Sequence, residues 1–502
     1  MSHQPPQHAA PNPRATQRAP RTARFWLVPI VVSLAAMAAL ATFYLGGILN
    51  PTANLRHFPI AVVNEDTGPT GAQITNGLVS GLDSNQFDVR VLSPDDARHQ
   101  LDTAQVYGQV LIPPEFSDQL TALGQNALQP GQATRPTITV SSNPRAGSLA
   151  ASSIASQTMT RALAAANAKL GEQLTAQVTQ QAGGAPLPGA AALVLATPIN
   201  VQTDAHNPLP NGTGNGLSAF YYALLLLLAG FTGSTVISAL VDALLGYAPA
   251  EFGPVYRFVD QVRISRLRTL LIKWTLVVVL AALTSTVYLG IATAMGMPVS
   301  HTWGLWLYGA FAITAVGVTS TSIIAALGSM GLLVNLLIFV MLGLPSAGAT
   351  IPLEATPNVF AWLAHFEPLH QVYLGTRALV YFDADGDAGL SHALIMCFVG
   401  LLIGLAVGIL TSALYDRWGF RRIAAPVSPP ALAGTADGAQ HQESPGVSSP
   451  WVASGHLTAA DGSAVAVHID AIRASDDAPA AAPITSPARP QPARGVEPAG
   501  SL

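Results

Sequence analysis

The residues that could do chemistry fall in four places. His365-Phe-Glu-Pro-Leu-His370 sets two imidazoles around a carboxylate, a spacing near that of a helical zinc site. Zinc needs both histidines on one face of an unbroken helix, and Pro368 stands between them. The segment reads as a polar loop rather than a metal site. Asp383-Ala-Asp385-Gly-Asp387 has the alternating carboxylates that open a calcium loop. Such a loop also wants Gly at its sixth position and Glu at its twelfth, and here those are Ala388 and Leu394. A solvated acidic loop is the better reading. Arg257, Arg263, Arg266, Arg268 and Lys273 crowd into residues 242–273, a basic, partly amphipathic hairpin loop. Cys397 is the sole cysteine, so no intrachain disulfide or CxxC redox site can form, and it reads as a small buried apolar residue.

What is missing narrows the chemistry further. A phosphate-binding P-loop ends in Gly-Lys-Ser/Thr. The chain's lysines are Lys169 and Lys273, followed by Leu170 and Trp274, so ATP is not bound by that route. No catalytic set converges, and neither an enzyme nor a cofactor or metal is expected.

These residues hang on a chain built for lipid. From Trp274 to Leu353 there is no Asp, Glu, Lys or Arg, and His301 is the lone histidine. At about 1.5 Å per helical residue, the run is several times longer than the ~30 Å hydrocarbon core of a bilayer. It must cross, turn and cross again. Met295-Gly-Met-Pro298 and Gly328-Ser-Met-Gly331 are the turn signals, and Leu344-Pro-Ser346 closes the last helix. Three transmembrane helices are expected, at 274–295, 302–327 and 331–350. Residues 25–49, 217–241 and 390–415 supply three more. The stretch 25–49 is longer than the ~7–15-residue core of a secretory signal, and no clear cleavage site follows it, so it reads as an uncleaved first span. Only 10% of the 502 residues are charged, against ~25% in a soluble domain. The net charge of −4 gives no reason to expect a nucleic-acid partner.

Residues 50–216 are the large polar region. Phe58–Asn64 is a β-branched run ended by a Glu65-Asp66-Thr67-Gly68 turn, and Gly71–Leu82 is helix-like. Phe87–Leu92 alternates as a strand does. Ser93-Pro94 is an N-cap with proline at the first helical position, opening a helix to about Thr103. Val106–Ile112 and Arg135–Ser141 are further strands, with a helix from Pro113-Pro114-Glu115 between them. Ala146–Gln181 is a long helix or a helical hairpin, and Leu193–Gln202 a last strand. The order argues for an α/β domain. The whole is expected to be an α-helical multi-pass membrane protein: six transmembrane helices, with an extracytoplasmic α/β domain between helices 1 and 2, then a five-helix membrane domain over 217–415.

Short basic flanks set the orientation. Arg14, Arg18, Arg21 and Arg24 precede the first span, the 242–273 set follows the second, and Arg417, Arg421 and Arg422 follow the sixth. The opposite short segments carry only Arg377, in 354–389. The positive-inside rule then puts both termini in the cytoplasm, with the lipid bilayer of the plasma membrane as the first partner. Residues 1–24 and 416–502 read as disordered arms, with a weak hairpin signal at Asp461-Gly462 inside 452–472. Proton- and ion-coupled transporters keep charges inside the bilayer. The predicted core helices hold none, so any transport needs an outside motor. The 242–273 loop is a surface such a motor could push, although topogenesis and anionic lipid explain the same arginines.

Two stretches carry a resemblance. Phe58-Pro-Ile-Ala-Val62-Val63-Asn64-Glu65-Asp66-Thr-Gly68, just after a first span, resembles the opening of the YhgE/Pip (phage infection protein) family. Val106-Tyr-Gly-Gln-Val-Leu-Ile-Pro-Pro-Glu-Phe-Ser117 resembles a second segment of that family. The layout of one helix, an external domain and five helices is similar to permeases of the ABC-2 type, as is Pro368–Arg377 before the last helix. A fungal group of nitrosoguanidine-resistance membrane proteins shares the plan. The resemblance covers about residues 25–420. It implies a dimeric export permease for a lipid-like, drug-like or peptide cargo, coupled through Arg257, Arg263, Arg266 and Arg268 to a separate ATPase. The external domain is short beside the coiled-coil-bearing members, which speaks against a phage-receptor role. The alternative is a non-transporting envelope scaffold or binding protein with a membrane-anchored external domain.

Overall fold

The computed structural model describes residues 23–127, 134–147, 149–252, 255–257, 259–420, 456–458 and 464–466. It divides into two units, Met1–Val427 and Ser428–Leu502. In the second unit, His456–Thr458 pairs antiparallel with Ala464–Ala466, on either side of the Asp461-Gly462 turn signal. The arms expected to be disordered, 1–24 and 416–502, lie for the most part outside the described residues.

Among the described residues the first unit opens with α1 (Ala23–Ile48), free of charged residues after Arg24. Trp26, Val31, Leu34 and Met37 are exposed along it. A helix apolar all round yet unburied is suited to lipid.

Alternation along one strand organises the sheet domain. On β1 (Phe58–Asn64), Phe58, Ile60 and Val62 point to one face and Ala61 and Val63 to the other. The large side chains meet Ile74 and Leu78 of α2 (Pro69–Gly81). The small ones meet Ala97 and Leu101 of α3 (Pro94–Asp102), which follows β2 (Phe87–Leu92). Ser93 caps α3 as its sequence announces, its Oγ accepting the Asp96 N–H. Then come β3 (Gly108–Ile112), α4 (Phe116–Asn126), β4 (Thr137–Ser142), α5 (Leu149–Gln181), α6 (Gly189–Ala196) and β5 (Asn200–Ala205). The sheet order is β2-β1-β3-β4-β5. β1 is parallel to both neighbours, β4 antiparallel to β3, and β5 parallel to β4. The strand predicted at 193–202 is corrected: its first half is α6, with Ala191 and Leu195 buried one turn apart, and the strand starts only after Pro198.

Five helices among the described residues are long and apolar enough to cross a membrane. They are α1, α7 (Leu217–Leu244), α8 (Arg266–Ala294), α9 (Thr302–Leu327) and, after an irregular turn, α14 (Ser391–Arg417). α9 packs against α7, α8 and α14. The fifth span in chain order, predicted as a continuous helix at 331–350, differs. It is α10 (Met330–Leu336), a π-helical turn at Leu337–Met341, and α11 (Gly343–Ser346). A π turn inserts an extra residue per turn, which an apolar run does not signal. Asn335, fully buried on α10, donates to Ser320 Oγ (2.9 Å), which also receives the Ser234 hydroxyl (2.6 Å), joining three helices.

The stretch 354–389, predicted as a polar loop, is also corrected. It holds α12 (Asn358–Ala364) and α13 (Pro368–Tyr381), and most of α13 is buried against α7 and α14. Several of its polar groups turn to backbone: Gln371 Nε2 donates to Ala364 O (2.8 Å), and the Thr376 hydroxyl to Val372 O (2.8 Å).

Candidate functional site

Polar side chains gather in three places. The first is the turn after β1. Val62 and Val63 are buried on opposite faces of the strand. Asn64 Oδ1 accepts the Asp66 N–H (3.1 Å), and the Glu65 N–H donates to Ile112 O (3.0 Å). Asp66, 8% exposed, is enclosed by donors. Its Oδ2 accepts from the Ser117 hydroxyl (2.6 Å) and the Gly71 N–H (3.0 Å), and its Oδ1 from the Ser117 N–H (3.1 Å). Burial alone would raise this carboxyl, but the bonds from Ser117, Gly71 and Gly68 hold it below the usual aspartate value. Close approach explains the glycines. A Cβ on Gly71 would sit 2.6 Å from Asn64 Oδ1, and one on Gly68 would collide with Ser117. The two resemblance-bearing stretches, at Asn64–Gly68 and at Phe116-Ser117, thus meet at one buried carboxylate. With those oxygens occupied by internal donors, the turn is a joint.

The second place is the far end of the helices. α7 starts beside the sheet domain, where Tyr381 Oη accepts the Ala219 N–H, and it ends roughly 40 Å away at about 1.5 Å per residue. There Asp242 pairs with Lys273 (2.8 Å), and Lys273 is only 5% exposed. A cavity of about 670 Å³ opens at this end, lined by Ser238, Asp242, Arg266, Thr269, Lys273 and Tyr415 among others. Between α7 and α8 the chain makes a small antiparallel pair, Ala250–Phe252 with Val255–Arg257. The predicted coupling arginines separate here. Arg257, Arg263 and Arg268 are exposed. Arg266 is not a loop residue: it is the first residue of α8, bonded to Phe420 O (2.7 Å), 3.4 Å from Asp416 and set over the Tyr415 ring. Arg268 also lies within α8, which begins earlier than its apolar run.

The third place joins the sheet domain to the helices. Arg377 on α13 donates to Ala146 O and Ala388 O, with the Tyr373 and Phe382 rings beside its guanidinium. Arg56 donates to Thr356 O (2.6 Å), and the Tyr107 hydroxyl donates to Glu354 Oε2 (3.1 Å). Burial raises the Glu354 carboxyl, against the bonds and charges around it. The histidines suspected of metal binding turn to separate backbone carbonyls, His365 to Ala361 O and His370 to Ala347 O. Asp383 pairs with His301 (2.6 Å), and Asp385 accepts the Asp387 N–H.

Helices of membrane-spanning length around a buried polar seam, with a five-stranded sheet domain clamped to one end, define a helical membrane-type protein with an α/β appendage. The chain belongs to the family described as "Protein of unknown function (DUF3533)", whose model matches residues 28–404. No curated protein and no solved structure matches it.

Proposed function

We propose that the protein is an ABC-2-type export permease subunit, working as a homodimer in the plasma membrane and powered by a separate ATPase. The cavity at the far end of the helices carries the reading. Its volume suits a small-molecule site, and its wall mixes an ion pair and hydroxyls with apolar side chains, as an amphiphilic cargo would need. Arg257, Arg263 and Arg268 are exposed on the stretch from the α7–α8 connection into the first turn of α8, available to a cytoplasmic motor. The six-crossing layout draws support from where the broken helix leads. Ser329 and Leu332 line the far cavity, while Ala347 O meets His370 and Glu354 meets Tyr107 at the sheet-domain end. A crossing through Met330–Ser346 and the residues after it accords with the end of α14 lying beside the start of α8. With the basic flanks inside, both termini are cytoplasmic and the sheet domain is outside.

The test is capture of an ATP-hydrolysing subunit by the purified protein. Arg257→Glu, Arg263→Glu and Arg268→Glu together should abolish capture while the protein still inserts; Arg266 is left alone because it holds α8 to α14. A stable wild-type protein that captures no ATPase overturns the reading. The clamp of Arg377, Arg56 and Tyr107 favours a second reading, a membrane-held envelope scaffold. A deletion strain with altered envelope assembly and unchanged efflux selects it.

A further inference from the structure

One buried turn of α13 has more acceptors than donors. Glu367 sits at the N-terminus of the helix, 2% exposed. Its Oε2 accepts the His370 N–H (3.0 Å), while Oε1 is buried and meets no donor. One turn further along, Gln371 spends both donor contacts on Ala364 O and His365 O, and its own Oε1 is likewise buried without a donor. Leaving buried oxygens unpaired is costly. A carboxylate has only acceptors to offer, whereas a carboxylic acid supplies a donor.

The oxygen also touches the element that departs from regular helix. A Cβ on Gly343 would lie 3.0 Å from Glu367 Oε1 and 3.4 Å from Leu369 Cβ. The carboxyl therefore rests against bare backbone at the start of α11, just after the π turn. No ionisable residue occurs in Met330–Ser346. The ionisable groups around this turn include His370 and Arg377 on α13, His365 after α12, His392 and Cys397 on α14, Tyr308 on α9, whose hydroxyl donates to Gln371 O and Val372 O, and Tyr44 on α1, whose hydroxyl donates to Val340 O. Arg377 is turned to Ala146 O and Ala388 O, and His370 to Ala347 O. Among the described residues none forms an ion pair with Glu367, so only the N–H groups of Leu369 and His370 offset its charge. Burial pushes the Glu367 carboxyl up to about 7, against the N–H groups of Leu369 and His370, and pushes His370 down to about 4.

We propose that Glu367 is a proton-binding site, and that loss of its proton loosens the contact between α13 and the Gly343–Ser346 turn. The site needs no motor, so it stands or falls apart from the export reading.

Linkage gives the sign. Glu367 is raised from 4.5 to about 7, so the folded chain keeps a proton that the unfolded chain gives up, and stability falls as pH rises across that window. His370 is lowered from 6.5 to about 4, so stability climbs as pH rises from about 4 to 6.5. The two oppose each other below pH 6.5. Above it, Glu367 acts without His370.

The test uses the full chain in lipid nanodiscs, with melting temperature followed upward from pH 6.5. The wild type should lose about one to two degrees as the pH is raised to about 8, Glu354→Gln should still lose most of that, and Glu367→Gln should lose much less. Superimposable wild-type and Glu367→Gln curves overturn the proposal. A spin label at Leu344→Cys in a Cys397→Ala background should gain mobility above neutral pH, and should not when Glu367→Gln is added; a line shape indifferent to pH removes the proposed loosening. Should Glu367→Gln fail to fold, the infrared carboxylic-acid band decides. It should be present in the wild type and in Glu354→Gln at slightly acid pH and vanish in alkali, and its absence sinks the site. A midpoint that moves with sodium at constant ionic strength assigns the site to a metal cation and overturns the proton.

Discussion

Asp66 in the sheet domain and Glu367 in the helical region are both buried carboxyls beside helices that open with proline, Pro69 and Pro368. Their protonation behaviour runs in opposite directions. Burial opposes the charged form of each, more strongly for the deeper Glu367, and Asp66 has the fuller set of donors. Asp66 receives Ser117 Oγ–H and the N–H groups of Ser117 and Gly71, and falls below the ordinary aspartate value. Glu367 has one oxygen without a donor and rises to about 7. The same residue chemistry gives a fixed joint in one region and a titrating group in the other.

Mutations can break or sharpen that contrast. The largest effect is expected from Asp66→Ala, which strands the Gly71 and Ser117 donors in a buried turn; denaturant unfolding should register a loss of roughly 3–5 kcal/mol. The wild type should also weaken on acidification, because Asp66 stabilises the fold above its ordinary value of 3.8 and that contribution fades as pH falls through its lower folded value. The variant should lack that part of the acid limb. Glu367→Gln should act in the opposite sense, stabilising the protein by roughly 1–3 kcal/mol at pH 8 by removing a buried charge. Equal losses from the two changes at that pH would erase the contrast. Gly71→Ala forces a methyl onto Asn64 Oδ1 and should cost about 2 kcal/mol in the same unfolding assay. Ser117→Ala removes one donor to Asp66 and the acceptor of the Thr70 N–H, a loss of about 1 kcal/mol. A larger loss from Ser117→Ala than from Asp66→Ala would mean that the hydroxyl holds the joint.

Elements with a strong local signal were legible in the sequence. Phe58–Asn64 and Phe87–Leu92 appear where their patterns put them, and Ser93-Pro94 caps a helix as its chemistry requires. The long apolar helices follow from length and composition. What escaped depended on distant partners. His370, Gln371 and Arg377 look solvated by type, yet each meets a backbone carbonyl that only the folded chain supplies. The charge-free reading of the spans led past Glu367, because the residue lies outside them and is buried by packing. Asn64, Asp66 and Ser117 stood out as a pattern, but their union across two segments could not be read from either one. Arg266 was grouped with its neighbours by charge, and its contacts with Asp416 and Phe420 separate it.

The guanidinium of Arg377 is anchored to the chain just before α5 and to the approach of α14. Arginine keeps its charge at any pH the protein meets, so this anchorage does not slacken with acidity. Glu367, at the other end of the same helix, does change. Under the proposed loosening, α13 stays held at its Arg377 end, and the end near Gly343 is the one that loss of the Glu367 proton would free.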